Sequence, residues 1–249
     1  MKIITVTNQK GGAGKTTTVD ATIASLTSRG YKVLAVDLDP QCNLSFSMNS
    51  DTSKSNILDV LTKKVKTEDA IQNLANGDLI SGTAQLAAAE SILTEVGKEY
   101  QLKKTLDAVK DKYDFILIDT PPALGILTIN ALTACNSVVI PAQADIYSIQ
   151  GIQRLIETIK AIKEYTNPGI VVDGVILTRY TDRTVLSRTV ADLANQIASS
   201  VDSKLFKSTI REATAIKEAQ LSQKSIYEYA GNSKVAEDYT AFVDELLKL

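Results

Sequence analysis

One octapeptide, Lys10-Gly11-Gly12-Ala13-Gly14-Lys15-Thr16-Thr17, restricts the fold of this chain more than any other segment. It follows a short apolar, β-branched run at 2–7 and opens a helical pattern at 16–28. A phosphate-binding loop needs that strand-to-helix context. Glycines let successive backbone N–H groups converge on phosphate oxygens without Cβ clashes. The helix N-terminus adds partial positive charge. Lys15 has the reach for β- and γ-phosphates, and the Thr16 hydroxyl is a Mg²⁺ ligand candidate. Residues 10–17 are therefore the candidate nucleotide cradle. The bland alternative is a glycine-rich turn with nearby lysines, which leaves the agreement of three glycines, Lys15, Thr16 and the flanking pattern unexplained.

The loop departs from G-x-x-x-x-G-K-[ST], because Gln9 stands where the first glycine belongs. It carries instead a second lysine, Lys10. A loop with Lys15 does not need Lys10 for its own nucleotide. One reading sends Lys10 across a dimer to the partner's nucleotide, as a finger supplied in trans. The other leaves it a solvated loop lysine.

Composition removes competing chemistries. The chain has 249 residues and no histidine, which excludes His-based acid–base catalysis, Ser-His-Asp and Cys-His systems and His-ligated metals. Two cysteines, Cys42 and Cys135, make neither a zinc site nor a disulfide framework, and reduced thiols in a cytosolic protein are expected. The amino terminus lacks a signal-peptide pattern. No run approaches the roughly 18 apolar residues of a membrane span. A cytoplasmic location is therefore expected.

Apolar runs at 2–7, 32–36, 115–118, 138–141 and 170–177 read as buried parallel strands. Helical spacing fills 16–28, 148–164, 185–198 and 235–247, with one or two helices over 85–112. Segment 47–55 reads as loop, 57–72 as short helices and 78–80 as a short strand. The fold class is α/β: a P-loop NTPase with a mostly parallel twisted sheet and helices on both faces. No linker or repeat divides the chain, so 1–249 reads as a single P-loop ATPase domain.

Two acidic clusters follow predicted strands: Asp37-Leu38-Asp39-Pro40 and Asp119-Thr120-Pro121-Pro122. Ligands of open α/β sheets bind beyond the carboxyl ends of strands, so both clusters aim at the loop. Asp119 is placed to hold Mg²⁺ through a water, Asp39 to orient the attacking water, and Asp37 to support the metal's water shell. A lone Asp after a strand is more often a turn residue or helix cap.

These residues together resemble the deviant Walker A ATPases of the ParA/MinD group, and more narrowly the ParA (Soj-like) partition ATPases. The resemblance rests on NQKGGAGKTTT at 8–18, VDLDPQCN at 36–43, YDFILIDTPPALGILTINAL at 113–132, VIPAQADIYSIQGIQRL at 139–155 and LTRYTDRTVLS at 177–187, then the stretch 205–249. It implies an ATP–Mg²⁺-binding fold that forms a nucleotide-sandwich homodimer. Lys10 matches the signature lysine that contacts ATP across the dimer. The position of Asp39 is associated with hydrolysis, and that of Asp119 with Mg²⁺. It further implies DNA binding without sequence preference by the ATP dimer, nucleoid association in that state, and release when a ParB-like centromere-binding partner stimulates hydrolysis. Intrinsic turnover is expected to be weak. Ala13 stands where valine is more frequent, and 210–213 lacks the proline common nearby in relatives.

A formal charge of −2, from 27 cations and 29 anions, provides no global attraction to DNA. Segment 204–224 holds five cations against two anions, a local +3 that leaves −5 elsewhere. Arg211 and Lys217 match the DNA-contacting positions best; the plain alternative is a solvated helical face. The rival reading, a MinD-like ATPase that positions another cargo or acts at a membrane, needs a basic amphipathic C-terminal helix. The tail TAFVDELLKL carries Asp244 and Glu245 against Lys248, so no membrane partner is expected. A cluster-bearing reductase would need paired cysteines, and a tyrosine kinase a C-terminal tyrosine cluster.

Overall fold

The glycine-rich loop does join a strand to a helix. The structure, a computed structural model, describes residues 1–182 and 184–249. β1 (Lys2–Val6) runs into the loop and α1 (Lys15–Ser28) leaves it. β2 (Val33–Asp37), α2 (Asn43–Ser47) and α3 (Ile57–Leu61) follow. Next come the short pair β3 (Ile71–Gln72) and β4 (Asp78–Ile80), then α4 (Ala89–Ile92) and α5 (Gln101–Asp107). The second half contains β5 (Phe115–Asp119), α6 (Ile126–Ala134), β6 (Ser137–Gln143), α7 (Ile146–Tyr165), β7 (Val171–Thr178) and α8 (Val185–Ser199). It ends with β8 (Leu205–Ile210), α9 (Thr214–Leu221), α10 (Ile226–Ala230) and α11 (Lys234–Leu246).

The eight strands form one sheet in the order β3-β4-β2-β5-β1-β6-β7-β8, and only the β3–β4 pairing is antiparallel. The pleat sorts side chains to opposite faces. Leu34, Val36, Ile116, Ile118, Val138 and Ile140 pack with residues of α3 and α5 to α8. Val33, Ala35, Leu117 and Val139 pack with α1, α2, α10 and α11 on the other side. Burial on both faces accounts for the near-continuous apolar runs in the central strands. In α7, Ile149, Ile152, Leu155, Ile156, Ile159 and Ile162 are all buried, as their spacing predicts.

Segment 85–112 departs from the expectation of one or two helices. It breaks into α4, α5 and 3₁₀ turns at Ala84–Ala88, Lys98–Tyr100 and Lys110–Lys112. Leu93 leaves the helical region at ψ 84°. Gly97, at φ 80°, starts the next turn. Segment 57–72 likewise holds α3 and a 3₁₀ turn, but its last two residues are strand β3.

Strand β8, at the edge of the sheet, does not stand out in the sequence because the polar run Lys207-Ser208-Thr209 separates its apolar ends. Phe206 and Ile210 are buried, while Lys207 is exposed. The strand is tied to α11: the Glu245 carboxylate accepts from the backbone N–H of Lys207 and of Ser208, both at 3.1 Å. The buried side of α11 includes Val235, Tyr239, Phe242 and Leu246. Among the described residues no helix is long and apolar enough to cross a membrane.

Candidate active site

The loop closes through two left-handed glycines, Gly12 at φ 74° and Gly14 at φ 89°, where an L side chain would be strained. Gly14 is the N-cap of α1 and brings no side-chain cap of its own. The first N–H groups of the helix therefore stay available to an anion. Lys15 is buried, and its Nζ donates to the Lys10 carbonyl at 3.2 Å, folded back over the loop. Burial lowers its pKa, against the opposing charges of Asp119 and Asp39.

Strands β1, β2 and β5 end flush. Val6 pairs with Asp119, and Asp119 with Asp37. This register brings both acidic clusters to the loop, as the strand-end argument predicts. Asp119 is fully buried, and its Oδ2 accepts from the Thr16 hydroxyl at 2.7 Å. Its Oδ1 is buried with no hydrogen-bond partner. Burial, then the neighbouring Asp37 charge, push the Asp119 pKa well up, against the Thr16 hydrogen bond and Lys15.

An orphaned carboxylate oxygen beside a threonine hydroxyl suits a hard divalent cation. Among the described residues no three His, Cys, Asp or Glu side chains are grouped to hold an ion alone. Most ligands would therefore come from phosphate and water, the usual habit of Mg²⁺.

Asp37 has a different task in the protein alone. Its Oδ1 accepts from the Asp39 N–H at 3.1 Å, and its Oδ2 from the Ser45 N–H at 2.9 Å and hydroxyl at 2.6 Å. It ties the 37–45 loop to the sheet. Burial lifts its pKa to about 6 despite those bonds. Asp39 lies further out, with Oδ1 accepting from the Gln41 N–H at 3.0 Å. It lines the same cleft of about 560 Å³ as Gly11, Gly12, Gly14, Lys15 and Thr16.

The second lysine does not point at its own loop. Lys10 Nζ donates to Asp145 Oδ2 at 2.5 Å and to Gln143 Oε1 at 3.0 Å. Asp145 also N-caps α7, accepting from Tyr147 N–H and Ser148 N–H.

Arg211 and Lys217 line a narrow extension of the cleft with Arg179 and Ile216. Arg211 is committed to Asp238: its Nε and NH2 donate to the two carboxylate oxygens, each at 2.7 Å. Lys217 is exposed and makes no ion pair among the described residues.

Sequence reasoning assigns no role to Asn8, Gln143, Asp145 or Thr178. Asn8 Nδ2 donates to the Pro141 carbonyl at 2.6 Å, and its Oδ1 accepts from the Lys10 N–H at 3.0 Å. Thr178 Oγ1 donates to the Ala13 carbonyl at 2.8 Å. The usable signal is positional: Gln143 and Thr178 end strands, and ends of parallel strands carry function.

A family model described as an AAA domain matches residues 1–172. The sporulation initiation inhibitor protein Soj of Bacillus subtilis is 38% identical over 250 residues, covering 98% of each chain. The chromosome partitioning protein ParA of Myxococcus xanthus is 34% identical, covering 99% of this chain and 88% of that protein. Among solved structures, cobyrinic acid a,c-diamide synthase of Mycobacterium smegmatis with a bound ATP analogue and magnesium superposes with a TM-score of 0.85. It is 34% identical and covers 100% of this chain and 95% of that one.

Proposed function

The chain belongs to the AAA-domain P-loop ATPases of the ParA/MinD superfamily, close to the ParA-like partition ATPases, and from that premise we propose that it is an ATP-driven DNA-partition switch. It is an ATPase that uses ATP and Mg²⁺ and releases ADP and phosphate. The observation that carries the dimer-switch reading is the separation of its two loop lysines. Lys15 stays folded over its own loop, whereas Lys10 is held outside it by Asp145 and Gln143. A cation held outside its own phosphate site can reach a second copy's nucleotide once its pair with Asp145 opens. The ATP-bound form is accordingly a sandwich homodimer in which Lys10 acts across the interface.

Residues 10–17 cradle the phosphates through their N–H groups and Lys15. Thr16 and Asp119 hold Mg²⁺, with the charge of Asp37 behind them. When bound, the ion offsets negative charge on the phosphates. Asp39, at the cleft wall, orients the attacking water. Turnover is slow until a ParB-like centromere-binding partner stimulates it, so hydrolysis acts as a timer that ends the DNA-bound state. Residues 1–249 act as one ATPase domain, a reading supported by the single continuous sheet.

The dimer binds DNA without sequence preference through Arg211 and Lys217 and is cytoplasmic, on the nucleoid when ATP-loaded. The MinD-like membrane reading finds no support in α11, whose apolar side is spent on the core. The test is DNA binding titrated against salt with ATP, with ADP and without nucleotide, alongside sedimentation. The expected result is an ATP-dependent dimer whose DNA affinity falls steeply with salt. Nucleotide-independent DNA binding by a monomer would refute the switch.

A further inference from the structure

A loop built on Gly12 and Gly14 is conformationally permissive, yet phosphate binding needs its N–H groups turned one way. In a trans peptide the C=O of one residue and the N–H of the next are fixed antiparallel in one plane. A hydrogen bond that captures a loop carbonyl from outside therefore aims the following N–H inward.

Two consecutive carbonyls are captured in this way. Gln143 Nε2 donates to the Gly12 carbonyl at 2.7 Å. Thr178 Oγ1 donates to the Ala13 carbonyl at 2.8 Å, closer than its second contact at 3.3 Å to Ala142. Gln143 and Thr178 end β6 and β7 and are register partners across that ladder. The peptide planes so fixed carry the N–H groups of Ala13 and Gly14. Neither N–H has an acceptor among the described residues. The orientation of the Gln143 amide is set by chemistry. An ammonium only donates, so the oxygen must face Lys10 Nζ and the nitrogen must face Gly12.

We propose that Gln143 and Thr178 are positioning residues for phosphate binding: from adjacent strand ends they set two peptide planes of the loop so that the Ala13 and Gly14 N–H groups present to a nucleoside di- or triphosphate. They act through the loop backbone, and Thr178 also borders the narrow extension of the cleft beside Gly14 and Thr17. Gln143 has a second role, because the same amide receives Lys10. One side chain thus joins the cradle to the lysine assigned to the partner's nucleotide. Thr178 lacks that link and isolates the positioning effect.

The inference rests on the loop being a nucleotide site, and the experiment separates the two. Binding of fluorescent mant-ATP and mant-ADP is measured for the full chain and for Thr178→Val, Thr178→Ser and Gln143→Glu. Thermal melting without nucleotide is recorded in parallel. Valine keeps the shape and removes the donor; serine keeps the hydroxyl. Glutamate keeps an acceptor for Lys10 and loses the donor to Gly12.

Thr178→Val should weaken both nucleotides about tenfold, the equivalent of one missing hydrogen bond with its acceptor stranded. Thr178→Ser should stay within about twofold of the parent. Gln143→Glu should lose affinity for ATP and ADP alike. For Thr178→Val the apparent KM should rise while kcat holds. Parental affinity in Thr178→Val and Gln143→Glu, or serine as weak as valine, would overturn the positioning role. An unmodified chain that binds neither nucleotide would instead remove the premise.

Discussion

Lys10 and Asp145 form an ion pair, Nζ to Oδ2 at 2.5 Å, within a single chain. Burial raises the Asp145 carboxyl, but hydrogen bonds from Lys10 and Ser148 outweigh it and hold the pKa below its usual value. For Lys10 to reach a partner's nucleotide, this pair must open. It therefore opposes dimerisation in the resting chain. Asp145→Asn removes the charge and keeps the oxygen that caps α7. It should strengthen dimerisation with a non-hydrolysable ATP analogue about two- to fivefold, the range expected for a partly exposed ion pair. Sedimentation equilibrium reads the change, and a weaker dimer would show that Asp145 supports the interface instead.

Asp39 lines the cleft, while Asp119 lies buried behind Thr16. Asp39→Ala should keep ATP binding and lower hydrolysis by about a hundredfold, the lower range for a missing proton-transfer or water-orienting group. Lys15→Ala should lose nucleotide binding outright. Binding and phosphate-release assays on both variants check the division. Hydrolysis at the parental rate in Asp39→Ala would remove Asp39 from the mechanism.

DNA binding through Arg211 and Lys217 predicts unequal behaviour. Lys217 is unpaired among the described residues, so Lys217→Ala should flatten the slope of log affinity against log salt by about one for each phosphate it no longer neutralises. Arg211 is held bidentately by Asp238. Asp238→Asn should release that guanidinium and tighten DNA binding, and Arg211→Ala should weaken it with ATP binding intact. A DNA-mobility titration of the three variants is the measurement. Indifference of Arg211→Ala would leave Lys217 as the DNA-binding residue.

Asp20, in α1, is 7% exposed, and its carboxylate makes no hydrogen bond among the described residues. Burial, and then the Glu228 charge, push its pKa from 3.8 to about 7. Between those values the folded chain keeps a proton that the unfolded chain has released. Stability should thus be full below about pH 4 and fall as pH rises to about 7, by at most about 4 kcal/mol. Asp20→Asn should abolish this component. Its melting temperature should exceed the parent's by a margin that widens from pH 5 to pH 8. A constant margin would mean that Asp20 does not titrate in this window.

Much of the site is legible in the sequence because its parts are local. A strand, three glycines, Lys15 and Thr16 lie within a few residues, and Asp37 and Asp119 close apolar runs that announce strands. Asp145, Gln143 and Thr178 are not legible as loop partners. Each is more than 130 residues from the loop atoms it holds, and only the sheet order β1-β6-β7 makes them neighbours. The local +3 over 204–224 counts charge along the chain, whereas Asp238 and Glu245 of α11 fold back onto Arg211 and Lys204. Strand β8 is hidden by the polar run Lys207-Ser208-Thr209 between its apolar ends, and 85–112 by helix-forming composition that Leu93 and Gly97 interrupt.

The flush ending of β1, β2 and β5 sets which changes of length the chain can absorb. Side chains alternate along a strand, so one residue inserted or deleted within β2 or β5 turns its terminal aspartate to the opposite face. Lengthening the connections after α1 or before β5 leaves the Val6–Asp119–Asp37 alignment intact. Insertions and deletions in descendants of this sequence should therefore collect in segments such as 48–56 and 93–97. Within these strands the distance from the loop to its carboxylates is kept as a count of residues.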